Sequence, residues 1–274
     1  MSDIVVMPSR LSNQELADLA FAAQCLEGGG FGARLIDRLG RNVEALSRSL
    51  PSSLRRLSVR VAERALAAAF AVAIRTIDHG APATPARGAH KAAAAAAGAL
   101  GGAFGPLAAA IELPISTAIL MRSIAEIARQ EGEDVSQPEG ALACLEVFAL
   151  GAGPGEAAVE GGYFAARVAL ARSVAESARY LAGRNLAGES APLIARLIAQ
   201  IAGRFGFVVG EKLAAQAVPV VGALGGGAVN LAFAEHFQTL ARGHFIVRRL
   251  ERRHGAETVG FEFRRLRGEF AQAS

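Results

Sequence analysis

Three glutamates stand in apolar surroundings in this chain: Glu112 in Ala-Ile-Glu-Leu-Pro, Glu146 in Cys-Leu-Glu-Val-Phe and Glu235 in Phe-Ala-Glu-His-Phe. A carboxylate on an otherwise apolar helix face is costly to bury alone. It requires a cation, a metal, a helix N-terminus or a bound headgroup as partner. The polar candidates on helices expected to pack together are Arg122, Asn230, His236 and His244. One chemistry open to this set is the polar end of a ligand site built from Glu112, Arg122, Glu146, Asn230, Glu235 and His236. The alternative is a transition metal held between helices by Glu235 and His236 with Glu112 or Glu146, the arrangement of a metal-dependent hydrolase. His236 and His244 share a helix face but lie about 12 Å apart along its axis, so both cannot grip one ion. No His-Glu-x-x-His occurs, and neither His236 nor His244 stands three residues after a glutamate. A structural network of salt bridges and hydrogen bonds uses the same residues without a ligand.

Other chemistries find less to work with. There is no Gly-x-Ser-x-Gly, and Cys144 sits in an apolar context that favours an inert core thiol. The glycines of Gly98-Ala-Leu-Gly-Gly-Ala103 and Gly222-Ala-Leu-Gly-Gly-Gly227 lack the Lys-Ser/Thr of a P-loop and do not follow a strand. Close packing of helices explains them more economically. No cofactor motif is present.

The elements that must position these residues are almost wholly helical. Ser12-Asn-Gln-Glu15 has capping-box spacing and predicts a helix from Asn13 to Leu26, stopped by Gly28-Gly-Gly30. Leu57, Val61, Ala65, Ala68, Val72 and Ile77 place a stripe on a long helix over Leu54 to Ile77. Residues His79 to His90 read as a linker. Pro114 should kink or restart the helix that continues from Ile115 to Gln130. A second capping box, Ser136 to Glu139, predicts a helix from Ala141 to Leu150 that Gly151-Ala-Gly-Pro-Gly155 breaks. Further helices are predicted over Glu156 to Leu181, Pro192 to Phe207 and Leu231 to His254. Val259, Phe261 and Phe263 alternate as the only strand-like pattern.

Two runs carry no charge, Ala92 to Ile111 and Leu213 to Ala234, of 20 and 22 residues. Each holds one of the Gly-rich hexapeptides, and each is followed by an Arg-bearing segment ending at a glycine, Gly132 or Gly255, 34 and 33 residues after the first. This spacing points to an internal repeat with pseudo-twofold packing. The runs approach the length that crosses a bilayer core. Proline and glycine interrupt both, which suits re-entrant insertion or a tight core. Stable spanning, reversible peripheral insertion and a purely soluble bundle all remain open on this pattern.

Composition narrows the setting. Of 274 residues, 52% are apolar and 20% charged, and mean hydropathy is +0.31. That is high for a soluble domain and low for a multispan transporter. Fourteen Phe stand against two Tyr and no Trp, which argues against interfacial aromatic belts. Two distant cysteines, Cys25 and Cys144, and an N-terminus unlike a signal peptide fit a reducing, cytoplasmic location. Arginines 242, 248, 249, 252, 253, 264, 265 and 267 crowd the C-terminal end. The absence of an interleaved aromatic platform sets nucleic acid aside as partner. Arg242, Arg248, Arg249 and Arg252 are the candidate contacts to anionic lipid; the alternative is a solvated helix face paired with Glu251, Glu257 and Glu262.

Several segments together resemble the EcsC family, named for the third protein of a bacterial ABC-transporter operon. They are Leu113-Pro-Ile-Ser-Thr117, Arg122-Ser-Ile-Ala-Glu-Ile-Ala128, Gly132-Glu-Asp134, Leu142-Ala-Cys-Leu-Glu-Val-Phe-Ala-Leu-Gly151, Val218-Pro-Val-Val-Gly-Ala-Leu-Gly-Gly226, Asn230, His236-Phe237 and Ala241-Arg-Gly-His-Phe-Ile-Val-Arg-Arg-Leu-Glu251. The resemblance covers roughly residues 92–259 and implies a helical, apolar, bacterial protein linked by gene context to transport and secretion.

The expectation is therefore an all-α, single-domain bundle with tightly packed Gly/Ala-rich central helices. Residues 1–50 form an N-terminal helical extension and 51–274 the EcsC-like domain. The expected function is peripheral attachment to the inner membrane, binding a lipid, another apolar ligand or a membrane partner such as an ABC transporter.

Overall fold

The computed structural model describes residues 11–28, 31, 52–79, 109–150, 162–183, 191–216 and 219–273. Among them stand eight helices and no strand: α1 Asn13–Glu27, α2 Ser52–His79, α3 Ala109–Gln130, α4 Pro138–Leu150, α5 Gly162–Ala182, α6 Ala191–Gln216, α7 Pro219–His254 and α8 Ala256–Ala273. The Gly98 hexapeptide, most of the first charge-free run, the linker beyond His79, the Gly151–Gly155 breaker and the segment from Arg184 to Glu189 lie outside the described residues.

The N-terminal capping box forms as its spacing predicts. The Ser12 hydroxyl accepts from the Glu15 amide at 3.3 Å, and the Ser12 amide donates to Glu15 Oε2 at 2.9 Å. The second box does not form. Ser136 instead donates its amide, at 3.0 Å, and its hydroxyl to Asp134 Oδ1. An aspartate two residues back captures Ser136 in a turn, and α4 starts on Pro138, whose missing N–H costs nothing at the first helical position.

Proline and glycine act more weakly than expected elsewhere. Pro114 lies inside α3, near its start, where only one carbonyl loses its partner. Pro219 opens α7, and the helix then runs through the second Gly-rich hexapeptide without a break. Gly206 and Gly210 likewise fail to stop α6, which reaches Gln216 rather than Phe207. The alternating Val259, Phe261 and Phe263 are helical. Val259 and Phe263, four apart, are buried, while Phe261 is 59% exposed; a spacing of four marks one helix face, and it outweighs the short alternation.

α7 is the spine. Its 36 residues extend about 54 Å, and α1, α3, α4, α6 and α8 all pack on it. α4 is apolar apart from Glu139 and Glu146, and nearly all its residues are buried. One aromatic cluster ties the centre: Phe148 lies 5.2 Å from both Phe205 and Phe237, and Phe233 lies 5.0 Å from Phe237. A second apolar cluster joins α1 to α7 and α8 through Leu19, Ala22, Val247, Leu250, Val259 and Phe263. The N-terminal helix is thus built into the bundle. α3 and α7 each end at a glycine with positive φ, Gly132 at 75° and Gly255 at 85°, the left-handed C-terminal position that glycine alone adopts without strain.

The α1–α7 contact depends on Gly243. A Cβ there would stand 2.7 Å from Leu26 Cγ, 2.9 Å from the Ala22 carbonyl oxygen and 2.9 Å from Cys25 Cβ. One of the atoms is backbone, so the helices must separate to admit a methyl. Gly243→Ala is expected to lower unfolding stability by about 1–3 kcal/mol despite its better helix propensity. Urea denaturation checks this, and an unchanged midpoint refutes the close approach.

Candidate functional site

Glu112 is met by a cation that its local sequence does not reveal. It lies in the first turn of α3, 5% exposed. Lys212, near the end of α6 and 0% exposed, donates from Nζ to Glu112 Oε1 at 3.0 Å and Oε2 at 3.2 Å. Asn230 Nδ2, on α7, donates to Glu112 Oε1 at 2.8 Å. The ammonium also lies 4.6 Å from the centre of the Phe233 ring. Burial pushes the Lys212 pKa down, and the Glu112 carboxylate opposes that shift. Lys212 immediately precedes the second charge-free run and is one of only two lysines, against 27 arginines. A compact ammonium fits a closed site better than a planar guanidinium with five donors to satisfy. That rarity was the available signal.

A second polar cluster surrounds Glu146. Tyr163 Oη and His244 Nδ1 are 2.9 Å apart, and His244 Nε2 stands 3.9 Å from Glu146 Oε2. Burial, with Arg167 and Arg248 nearby, holds the His244 pKa well below its ordinary value, and burial raises that of Tyr163. Neutral imidazole beside a protonated phenol assigns the Tyr163 proton to the bond with Nδ1 and leaves Nε2–H facing Glu146. Burial raises the Glu146 pKa to about 7, against the pull of Arg167 and Arg248. Arg167 reaches Tyr163 Oη at 3.3 Å and grips Glu251 in a two-pronged pair at 2.8 and 3.0 Å. Arg248 makes the same kind of pair with Glu133 at 2.7 and 3.0 Å. Burial works against the Glu133 charge, yet Arg248 and Arg252 hold its pKa below the usual value.

The six-residue ligand site therefore divides. Glu112 and Asn230 form one cluster and Glu146 belongs to the other; Asn230 and His244 are about 21 Å apart along α7. Arg122 is exposed, away from both. Glu235 is half-buried while His236 is buried between Phe31, at 5.6 Å, and Phe237, at 5.0 Å. Adjacent helical residues point about 100° apart, so Glu235 and His236 do not converge. Among the described residues no group of three or more His, Cys, Asp or Glu is placed to hold a metal. Cys144 is fully buried, and burial raises its pKa, which disfavours the reactive thiolate.

Three of the C-terminal arginines turn toward carboxylates of the bundle, while Arg253 and Arg264 stay exposed. Besides Arg248, Arg249 pairs with Asp18 at 2.6 Å and Glu131 at 2.7 Å, and Arg252 pairs with Glu133 and donates to the Glu131 carbonyl at 2.7 Å. Arg242 is half-buried. Of the acids expected as partners, Glu262 receives Arg265 at 3.0 Å, whereas Glu251 is taken by Arg167. Asp18, Glu131 and Glu133 are distant in sequence or on a turn, where helical spacing does not reach.

A model of the EcsC protein family matches residues 43–250, beginning upstream of the first resembling segment and ending within α7. No curated protein and no solved structure matches the chain.

Two outcomes test the clusters. Lys212→Met strands a buried carboxylate and is expected to cost about 3–5 kcal/mol, whereas Glu112→Gln with Lys212→Met recovers most of that loss. Thermal or chemical denaturation of both variants reads it, and a double variant no better than the single refutes the pairing. Glu146 holds its proton more tightly folded than unfolded. Its contribution to stability is complete below pH 4.5 and is lost as pH rises to about 7, a fall of about 3 kcal/mol. Glu146→Gln should flatten the stability–pH curve over that window; an equal slope in both proteins excludes Glu146 as its source.

Proposed function

The chain belongs to the EcsC protein family, and on that premise we propose that it is a membrane-associated helical protein whose α5–α6 hairpin docks peripherally on a lipid bilayer. The observation that carries this reading is the outer face of α6. Residues Pro192–Ala215 form a stretch long enough to cross a bilayer, and its most apolar 18-residue window, with a mean hydropathy of 1.5, is only 44% buried. Its exposed residues are Pro192, Ala195, Arg196, Ala199, Gly203 and Phe207. Steps of three and four put them on one stripe. At Gly203 a Cβ would meet nothing within 4 Å, so among the described residues nothing packs on the stripe at that point.

α5 packs beside α6 and adds Ala165, Val168, Ala169 and Ala175 to the exposed apolar surface, with Val168 75% exposed. The arginines at this end turn away from it: Arg167 to Glu251, and Arg204 to the Ala149 carbonyl at 3.0 Å. An exposed, mainly apolar surface with Phe207 and Val168 proud of it, bordered by Arg172 and Arg196, is the pattern of a face that rests in the interfacial zone of a membrane. Peripheral docking is favoured over spanning because the far end of α6 holds Lys212 in its buried pair. A cytoplasmic protein on the inner membrane, accessory to transport or secretion, is the setting that the family's gene context implies. The hydrolase alternative gains no support from the positions of Glu235 and His236.

Flotation of the full chain with phosphatidylcholine vesicles tests the reading. Val168→Asp with Phe207→Asp should abolish flotation while circular dichroism remains unchanged, since both side chains are exposed. Flotation equal to that of the wild type places the contact elsewhere. Failure of the wild-type protein to float, with capture by a detergent-solubilised membrane protein, would transfer the face to a protein partner.

A further inference from the structure

The same hairpin carries a cluster of arginines that neither the C-terminal basic region nor the buried networks account for. Glu176 on α5 is a partly exposed carboxylate; Arg172 Nε donates to it at 2.8 Å, and the arginine side chain is 82% exposed. The bond to Arg172 chiefly holds its pKa below the usual value; desolvation opposes it, and the charges of Arg172, Arg196 and Arg179 add smaller downward contributions. Arg172 is bonded to Glu176, Arg179 stands three residues beyond it on α5, and Arg196 stands on the adjoining α6, so three exposed guanidiniums stand on this part of the hairpin with one carboxylate paired among them. Arg179 and Arg196 are both exposed. Arg179 Nε donates to the Ala175 carbonyl of its own helix, at 3.3 Å.

The placement of these charges along the hairpin is ordered. Arg196 lies in the first two turns of α6 and influences Glu176 in the last two turns of α5, so the two helices meet there as an antiparallel pair. Eleven residues separate Arg179 from Val168 on α5, and eleven separate Arg196 from Phe207 on α6; each step is about 16 Å. The basic end and the apolar end of both helices therefore fall at matching levels.

We propose that Arg172, Arg179 and Arg196 form a binding site for anionic phospholipid headgroups, which gives the docked hairpin its preference for negatively charged membranes. The inference rests on the bilayer reading of the hairpin and adds its lipid class. Guanidinium suits the phosphodiester because it can offer two parallel donors to two oxygens. Val168 and Phe207 on the adjoining surface then meet the acyl boundary while the arginines remain at phosphate depth. Charge complementarity selects an anionic bilayer as the occupant: the apolar stripe alone would accept any lipid, and the exposed guanidiniums discriminate.

The test compares vesicles of phosphatidylcholine alone with vesicles of phosphatidylcholine and phosphatidylglycerol, using the full chain. Arg179→Gln with Arg196→Gln removes two exposed charges without touching the core. Each basic residue near an anionic surface contributes about fivefold in affinity, so the double variant should bind phosphatidylglycerol vesicles roughly 25-fold more weakly. Its binding to phosphatidylcholine vesicles should not change, and added salt should shrink the difference between the lipids. Equal wild-type binding to the two compositions, or a double variant that keeps the preference, overturns the headgroup site and leaves the apolar docking face standing. Loss of binding to both compositions in Val168→Asp with Phe207→Asp, alongside an intact preference in the arginine variant, also overturns it. A wild-type chain that binds neither vesicle overturns both readings together.

Discussion

The bundle is organised by the need to partner charge inside a core in which alanine alternates with larger apolar side chains. Such surfaces pack closely but resemble one another at every turn, so they set helix distance more firmly than helix register. Polar contacts supply the register between α3 and α7. Glu112 meets Asn230, Ser123 meets Gln238 and Glu133 meets Arg248, at sequence separations of 118, 115 and 115. The near-constant offset means that the two helices run parallel, held at bottom, middle and top. A slip by one turn would strand at least Glu112 in an apolar environment, which costs several kcal/mol. Lys212 extends the same constraint to α6. The ion pair adds little net stability over an apolar isostere, but its geometry admits one arrangement of three helices.

Much of this was legible in the sequence, for identifiable reasons. The helices with strong local signals stand where the spacing puts them: the Ser12–Glu15 box forms, and the stripe from Leu57 to Val72 becomes the long α2. The misreadings come from weighing punctuation without context. Pro219 begins α7, because a proline at a first helical position sacrifices no bond. Ser136 had a nearer partner in Asp134. Val259 and Phe263 were read at period two when the buried pair has period four. The acids Glu112 and Glu146 were recognisable because an isolated carboxylate among apolar residues demands an explanation. Their partners were not, since Lys212 lies 100 residues from Glu112 and Tyr163 lies 81 from His244. Local sequence states the demand, and tertiary folding states who meets it.

The two basic regions show why charge counts mislead. The C-terminal arginines dominate the sequence, yet Arg248, Arg249 and Arg252 fold back onto Asp18, Glu131 and Glu133 and fasten α7 to α1 and to the turn after α3. Two-pronged pairs with partly buried carboxylates leave such side chains few donors for an external anion. The hairpin arginines are fewer, but Arg172, Arg179 and Arg196 are all exposed, and of the three Arg172 is the one bonded to Glu176. Availability follows from the ratio of cations to local anions and from exposure, and it favours the shorter list.

The same comparison of magnitudes decides how deeply α6 could enter a bilayer. Transferring Val168 and Phe207 from water to an apolar interface gains about 1.5–3 kcal/mol each when complete, and less when partial. Threading the helix across the membrane would draw its last turns away from α3 and α7. That movement separates Lys212 from Glu112 and Asn230, a cost of about 3–5 kcal/mol for the broken pair before the loss of the aromatic cluster around Phe205 is counted. The apolar gain matches the first cost at best and cannot cover the second. Resting on the surface keeps every buried contact and collects the gain from the exposed face alone. A free energy of that size, supplemented by a few charge contacts, gives reversible attachment like that of a single lipid anchor, which a second signal can strengthen or release.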